Sequence, residues 1–184
     1  MEKSQARSTL GLLVFLMTEL MFFAGLLSAY WVLRSQVPIW PPLGQPRYPV
    51  EVTAINTLVL LFSAYLIWKS EKLLSQNKQK YFYYLLAAIG AGGIFLLVQG
   101  YEWWQLLRYG MGLYDNVYGG IFYFVVGSHA LHVIFGLLVL SVLLSKSAQG
   151  AYSAEAYGGF SLGKIYWLFV VFLWPVIYVL LYLL

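Results

Sequence analysis

Apolar residues fill long stretches of this chain, and polar residues collect in the short gaps between them. Five stretches, at roughly 9–33, 52–68, 82–107, 117–145 and 163–184, approach or exceed the ~20 helical residues that cross a hydrocarbon core. The gaps differ in chemistry. Arg34 to Pro49 holds Pro38, Pro41, Pro42, Pro46 and Pro49, which bars a helix there. Residues 69–80 read KSEKLLSQNKQK, a polar connector of interfacial character. Residues 108–116 include Gly110, Gly112, Asp115 and Asn116, the composition of a short turn. Residues 146–159 are rich in Ser, Ala and Gly. No repeat or low-complexity segment interrupts the series. The pattern predicts an all-α, polytopic transmembrane bundle of five helices, with residues 1–184 forming a single transmembrane domain.

Composition agrees with this and narrows the chemistry. Of 184 residues, 61% are hydrophobic and 10% charged, whereas soluble domains are about half apolar and about a quarter charged. A soluble globular protein is excluded. The absence of Cys removes disulfides, thiolate metal sites, iron–sulfur clusters and thiol catalysis. The net charge of +4 comes without a basic–aromatic patch, so nucleic acid is not an expected partner. Topology explains the excess of base better. Lys3, Arg7, Lys69, Lys72, Lys78, Lys80, Lys146 and Lys164 fall on the N-terminal side of the spans, and only Arg34, Arg47 and Arg108 on the other. The positive-inside rule then predicts the N-terminus inside and the C-terminus outside. The first stretch is too long for a signal peptide, contains Glu19, and has no small-residue cleavage site before Tyr30-Trp31, so a retained helix is expected. Aromatic clusters at Tyr30-Trp31, Tyr81–Tyr84, Tyr101–Trp104 and Tyr166-Trp167 match interfacial belts.

Polar residues at membrane depth are the candidate functional groups. Glu19 lies mid-span in LMTELMFFAG, where a carboxyl is costly and must face protein or water. It is either a proton-handling group or a hydrogen-bonded helix lock. His129 and His132, in SHALH, share one helical face and so cannot supply haem ligands from both sides of an iron. No Glu-x-x-His pair on two helices exists for a di-iron site. Hydrogen bonding between helices is the expected role of both histidines. Glu102, beside Trp103, Trp104 and Arg108, reads as an interfacial acid. Glu51 suits a helix N-terminus, and Asn56 and Thr57 suit interhelical hydrogen bonds. Ala24/Ser28, Ala87/Ala91 and Ala88/Gly92 have the small-residue spacing of close helix contacts. No catalytic motif is present, and no catalytic or metal-ligating residue is expected.

The order of several fragments carries a further signal. T-E-L-M-F-F at 18–23, W-P-P at 40–42, E-V-T-A-I-N-T at 51–57, Q-G-Y-E-W at 99–103, Y-G-x-x-F-Y-F-x-x-G-x-H-x-x-H-V at 118–133 and Y-W-L-F-V at 166–170 together resemble cytochrome c oxidase subunit III. The resemblance runs from the first span to the last and matches the final five helices of the seven in longer members. It implies a subunit of a respiratory haem-copper terminal oxidase in a prokaryotic cell membrane, with oxygen reduction to water coupled to proton pumping. It also implies that this chain binds no haem or copper. Those cofactors belong to catalytic subunit I and copper-bearing subunit II, against which subunit III packs. The family holds phospholipid and supports assembly, proton uptake and durability. Glu19, His129, His132 and Glu102 match family motif positions, as proton-related or structural buried polar groups. Phe22, Phe23, Trp31 and Trp40 are candidates for lipid contact. Leu168 and Val171 stand where members commonly have His and Asp, which leaves an almost wholly apolar last helix. Two other readings share the resemblance, a subunit III-like partner of a nitric oxide reductase and one of a quinol oxidase. From another class, a small proton-coupled transporter would use Glu19 as its coupling acid.

Overall fold

The structure, a computed structural model, describes residues 2–74, 78–114, 116–149 and 158–184, without the side chains of residues 2–5 and 78. Asp115 and most of the Ser/Ala/Gly-rich connector lie outside the described residues. Five helices follow in order: α1 (Glu2–Ser35), α2 (Val50–Leu73), α3 (Lys78–Arg108), α4 (Val117–Ala148) and α5 (Gly158–Tyr178), the last continuing as a π-helical turn, Val179–Leu183. All are long and apolar enough to cross a membrane, and no strand occurs among the described residues. The chain is an all-helical, multi-pass membrane protein.

Each helix stops for a local reason. The proline-rich connector separates Ser35 from Val50, and Thr53 N–H donates to Pro49 O at 3.1 Å to open α2. At the end of α3, Gly110 takes φ +83° while Met111 N–H bonds Leu106 O at 3.0 Å, a Schellman closure that only glycine enters without strain. Asn116 caps α4 by accepting from Gly119 N–H at 2.8 Å. Pro175 lacks the N–H that would bond the preceding turn, and α5 ends in the wider π turn, where Leu184 N–H reaches Val179 O at 3.1 Å. Several helices run past the apolar stretches. Hydropathy marks the hydrocarbon slab, whereas α1 and α3 extend into interfacial Lys, Gln and Arg residues that favour helix as strongly as Leu.

Helices α2, α3, α4 and α5 close a ring, and α1 lies outside against α4 and α5. Lipid supplies no hydrophobic drive between helices, so close approach must do the work. Trp167 of α5 shows how. A Cβ at Gly92 of α3 would lie 2.7 Å from its indole, and a Cβ at Gly136 of α4 also 2.7 Å. The ring is therefore clamped between two glycines, and its Nε1 donates to Ser63 Oγ of α2 at 3.2 Å. Gly92 makes its close helix contact here and Ala88 is fully buried, but Ala24 and Ser28 of α1 face outward.

The inner face of α1 is narrow. Leu12, Leu16, Glu19, Phe23, Leu26, Tyr30 and Leu33 alternate by four and three residues, the seam of a left-handed helix crossing. Leu16, Phe23 and Tyr30 are buried along it, and Leu12, Leu26 and Leu33 partly so. Glu19 occupies one seam position in an otherwise apolar or aromatic row.

Candidate functional site

Glu19 meets α4 directly. Its Oε2 lies 2.7 Å from His132 Nε2, and both side chains are 19% exposed. The other imidazole nitrogen fixes the proton count. His132 Nδ1 is 2.7 Å from Ser128 O, and a carbonyl can only accept, so Nδ1 carries hydrogen. Nε2 and Oε2 then share one proton, as carboxylic acid with imidazole or as carboxylate with imidazolium. Either arrangement is neutral overall, which is how an acid survives at this depth. Phe22 stacks on His132 with centroids 6.4 Å apart, and Phe23 meets it edge-on at 5.1 Å. A shallow depression of about 230 Å³, lined by Phe15, Leu131, His132, Phe135 and Tyr166, reaches the imidazole from the lipid side.

Glu102 forms a second polar centre, buried inside the bundle near one end of α3. Only 2% exposed, it turns away from Arg108 toward α2. Thr53 Oγ1 lies 3.0 Å from Oε2, and Gln99 Nε2 donates to the same oxygen at 3.0 Å. Gln99 also approaches Tyr182 Oη at 3.4 Å. Arg108 instead covers the Trp104 ring at 4.0 Å. Trp103 and Trp104 bracket Glu102 in sequence, but 100° per residue sends neighbours to different faces. A cavity of about 290 Å³ connects Glu102 with Arg47 and Gln105 at the bundle end. Deeper in, Asn56 Nδ2 donates to Phe95 O at 3.0 Å, and Trp174 Nε1 to Thr57 Oγ1 at 2.9 Å.

The two histidines do not behave alike. His129 is 1% exposed, and neither ring nitrogen has a hydrogen-bond partner among the described residues. Its neighbours are aromatic. Trp174 stacks on it at 4.9 Å, and Phe23 and Phe95 stand edge-on, each at 6.3 Å. The interhelical hydrogen bond expected of His129 is absent among the described residues, because its ring is set among the Phe23, Phe95 and Trp174 rings, none of which offers an acceptor.

The lipid-contact candidates divide likewise. Phe22 and Trp31 are exposed, 43% and 40%. Phe23 is fully buried on the α1 seam and touches no lipid from there. Trp40 is half-buried, edge-on to Tyr30 and Tyr118. Tyr30 and Trp167, grouped with interfacial aromatics by sequence, are also fully buried. The last helix is less apolar in its contacts than its sequence suggests. Beyond Trp167 and Trp174, Tyr178 Oη donates to Val50 O at 3.1 Å and Lys164 Nζ lies 2.6 Å from Glu71 Oε2. Sequence reasoning passed over these donors. The signal was indole at mid-helix depth, since a buried Trp N–H needs an acceptor.

Fold and site together define a helical membrane protein whose buried acids are tied to histidine, threonine and glutamine. Among the described residues no three His, Cys, Asp or Glu side chains gather as a metal site would require. The family described as cytochrome c oxidase subunit III matches residues 3–184. Cytochrome c oxidase subunit 3 of Synechocystis is 38% identical over 179 residues, 95% of this chain and 74% of the relative. That of Thermostichus vulcanus is 38% identical, over 95% of this chain and 86% of the relative. That of Lemur catta is 33% identical, over 94% and 64%. The chain belongs to the cytochrome c oxidase subunit III family, subunits of haem-copper oxidases.

Proposed function

We propose that this chain serves as the cofactor-free subunit III of a respiratory haem-copper terminal oxidase in a prokaryotic cell membrane. Family membership over nearly the whole chain carries the reading. In it, haem and copper reside in subunits I and II, and this chain stabilises the complex, holds lipid and supports proton uptake. The N-terminus faces inside, in keeping with the eight bases on that side of the spans.

Glu19 and His132 are the proton-related pair. Their shared proton moves between oxygen and nitrogen without net charge, so the pair is both a lock for α1 and a group able to exchange a proton with a neighbouring path. Glu102 and His129 are structural, the first as hydrogen-bond acceptor and the second as part of an aromatic stack. Phe22, Trp31 and Trp40 form the lipid-facing side.

The test is Glu19→Gln in the assembled oxidase. The amide can still donate to Nε2, so assembly and haem spectrum are retained while the shared proton is lost. Proton uptake falls, or turnover life shortens. Full pumping with full endurance would reduce Glu19 to packing.

A further inference from the structure

Glu102 is buried without a paired cation. Among the described residues the ion pairs are Glu19–His132 and Lys164–Glu71, and neither involves it. Its hydrogen-bond partners decide its protonation state. Thr53 has one hydroxyl hydrogen and competing acceptors. Pro49 O, one helical turn back, lies at 2.8 Å, and the two Glu102 oxygens at 3.0 and 3.2 Å. The carbonyl is the nearer and can only accept, so it takes the hydrogen. The contact between Thr53 Oγ1 and the carboxyl then needs a proton from Glu102 itself. A carboxylic acid satisfies every atom: Oε1–H donates to Thr53 Oγ1 at 3.2 Å, while Oε2 accepts from Gln99 Nε2 at 3.0 Å. A carboxylate there would be a buried charge with lone pairs set against lone pairs.

This acid is not sealed in. It lines the cavity of about 290 Å³ at the end of the bundle away from the N-terminus, with Pro46, Arg47, Pro49, Gln105, Leu106 and Tyr109. A water molecule takes ~30 Å³ in the liquid and needs roughly two to four polar partners. The cavity has room for several, and its walls offer guanidinium, amide, phenol and carboxyl groups. Of the lining residues only Arg47 is a base. Arg108 lies over the Trp104 ring instead, and Tyr182 is reached through Gln99, at 3.4 Å. A proton that passes from Oε1 to water in the cavity therefore leaves a carboxylate facing a guanidinium rather than hydrocarbon. The Glu19–His132 pair is separate, since the depression beside His132 has no lining residue in common with this cavity.

We propose that Glu102 is a proton-binding site, a neutral carboxylic acid that exchanges its proton through the Arg47 cavity with the aqueous phase at the end of the bundle away from the N-terminus. The site goes beyond the structural role given to Glu102 above and rests on the oxidase reading only for the complex in which it is tested.

The test is infrared spectroscopy of the assembled complex, unaltered and E102Q, before and after transfer to D2O buffer. A protonated carboxyl absorbs at a frequency that carboxylates and amides do not share. The unaltered complex has one such band that E102Q lacks, and this band shifts within minutes of transfer. Retention of every protonated-carboxyl band in E102Q means that Glu102 is ionised and overturns the proposal. A band lost in E102Q but unshifted after hours in D2O means a walled-off acid and overturns the exchange. Q105F, which narrows the cavity, slows the shift several-fold, and an unchanged rate overturns the route. Should E102Q fail to assemble, T53V takes its place: the band persists but moves up in frequency as the acid O–H loses its acceptor. An unmoved band in T53V contradicts the assignment. Haem per complex is measured on each preparation, and its absence from the unaltered complex counts against the oxidase reading instead.

Discussion

Glu19 of α1 and His132 of α4 meet at 2.7 Å, and Glu19 is the one acidic residue in the seam that joins α1 to the bundle. A single polar residue in such a seam fixes register, because sliding the helix by one turn leaves the acid unpaired in an apolar row. The pair is therefore worth more as a specifier of position than as a source of raw affinity. Replacing Glu19 and His132 singly and together with Leu, in a double-mutant cycle on the thermal stability of the complex, should give a coupling of about 1 kcal/mol, the scale of membrane hydrogen bonds. Additive single effects would show that the pair contributes nothing beyond packing.

His129 predicts the opposite response. An unpaired buried nitrogen costs free energy that an apolar ring of similar shape does not. His129→Phe should leave the stability of the complex unchanged or raised, while His132→Leu lowers it. A drop for His129→Phe as large as for His132→Leu would mean that His129 has a polar partner in the assembled state.

Glu102 accepts from Gln99 and lies within reach of the Thr53 hydroxyl, which also bonds Pro49 O at 2.8 Å, so removing it leaves Gln99 with only the longer contact to Tyr182. Glu102→Leu should cost about 1–3 kcal/mol in apparent stability, whereas Glu102→Gln retains an acceptor and costs less. Equal losses for the two variants would indicate that volume, not hydrogen bonding, sets the effect.

The Trp167 clamp is testable by its glycines. Gly92→Ala and Gly136→Ala each place a methyl against the indole, and overpacking of this kind costs about 1–3 kcal/mol. Gly90, with nothing within 4 Å of its Cβ position, is the control. Gly90→Ala should be tolerated, and a clamp that accepts alanine at both positions would show that α5 can shift away freely.

Much of this architecture was legible in the chain. The apolar stretches located the helices because bilayer thickness constrains length directly, and the proline cluster between Arg34 and Pro49 located the first break. Glu19 stood out because charge at mid-span is rare enough to require a partner. What composition does not carry is direction around a helix axis. Phe22 and Phe23 are adjacent and chemically identical, yet one faces outward and the other is buried against His132. The same rotation separates His129 from His132 and turns Glu102 away from Arg108. Trp167 was similarly ambiguous, since an aromatic close to the start of the apolar stretch 163–184 fits an interfacial belt until Gly92 and Gly136 are seen to make room for it inside the bundle.

The central claim is that this chain works as a subunit of a haem-copper oxidase. An affinity-tagged copy, extracted from its native membrane in mild detergent, measures it in one step through the reduced-minus-oxidised absorbance spectrum of the purified material. The account predicts haem bands that copurify in fixed proportion to this chain, together with a larger catalytic subunit. A haem-free particle containing this chain alone would contradict it.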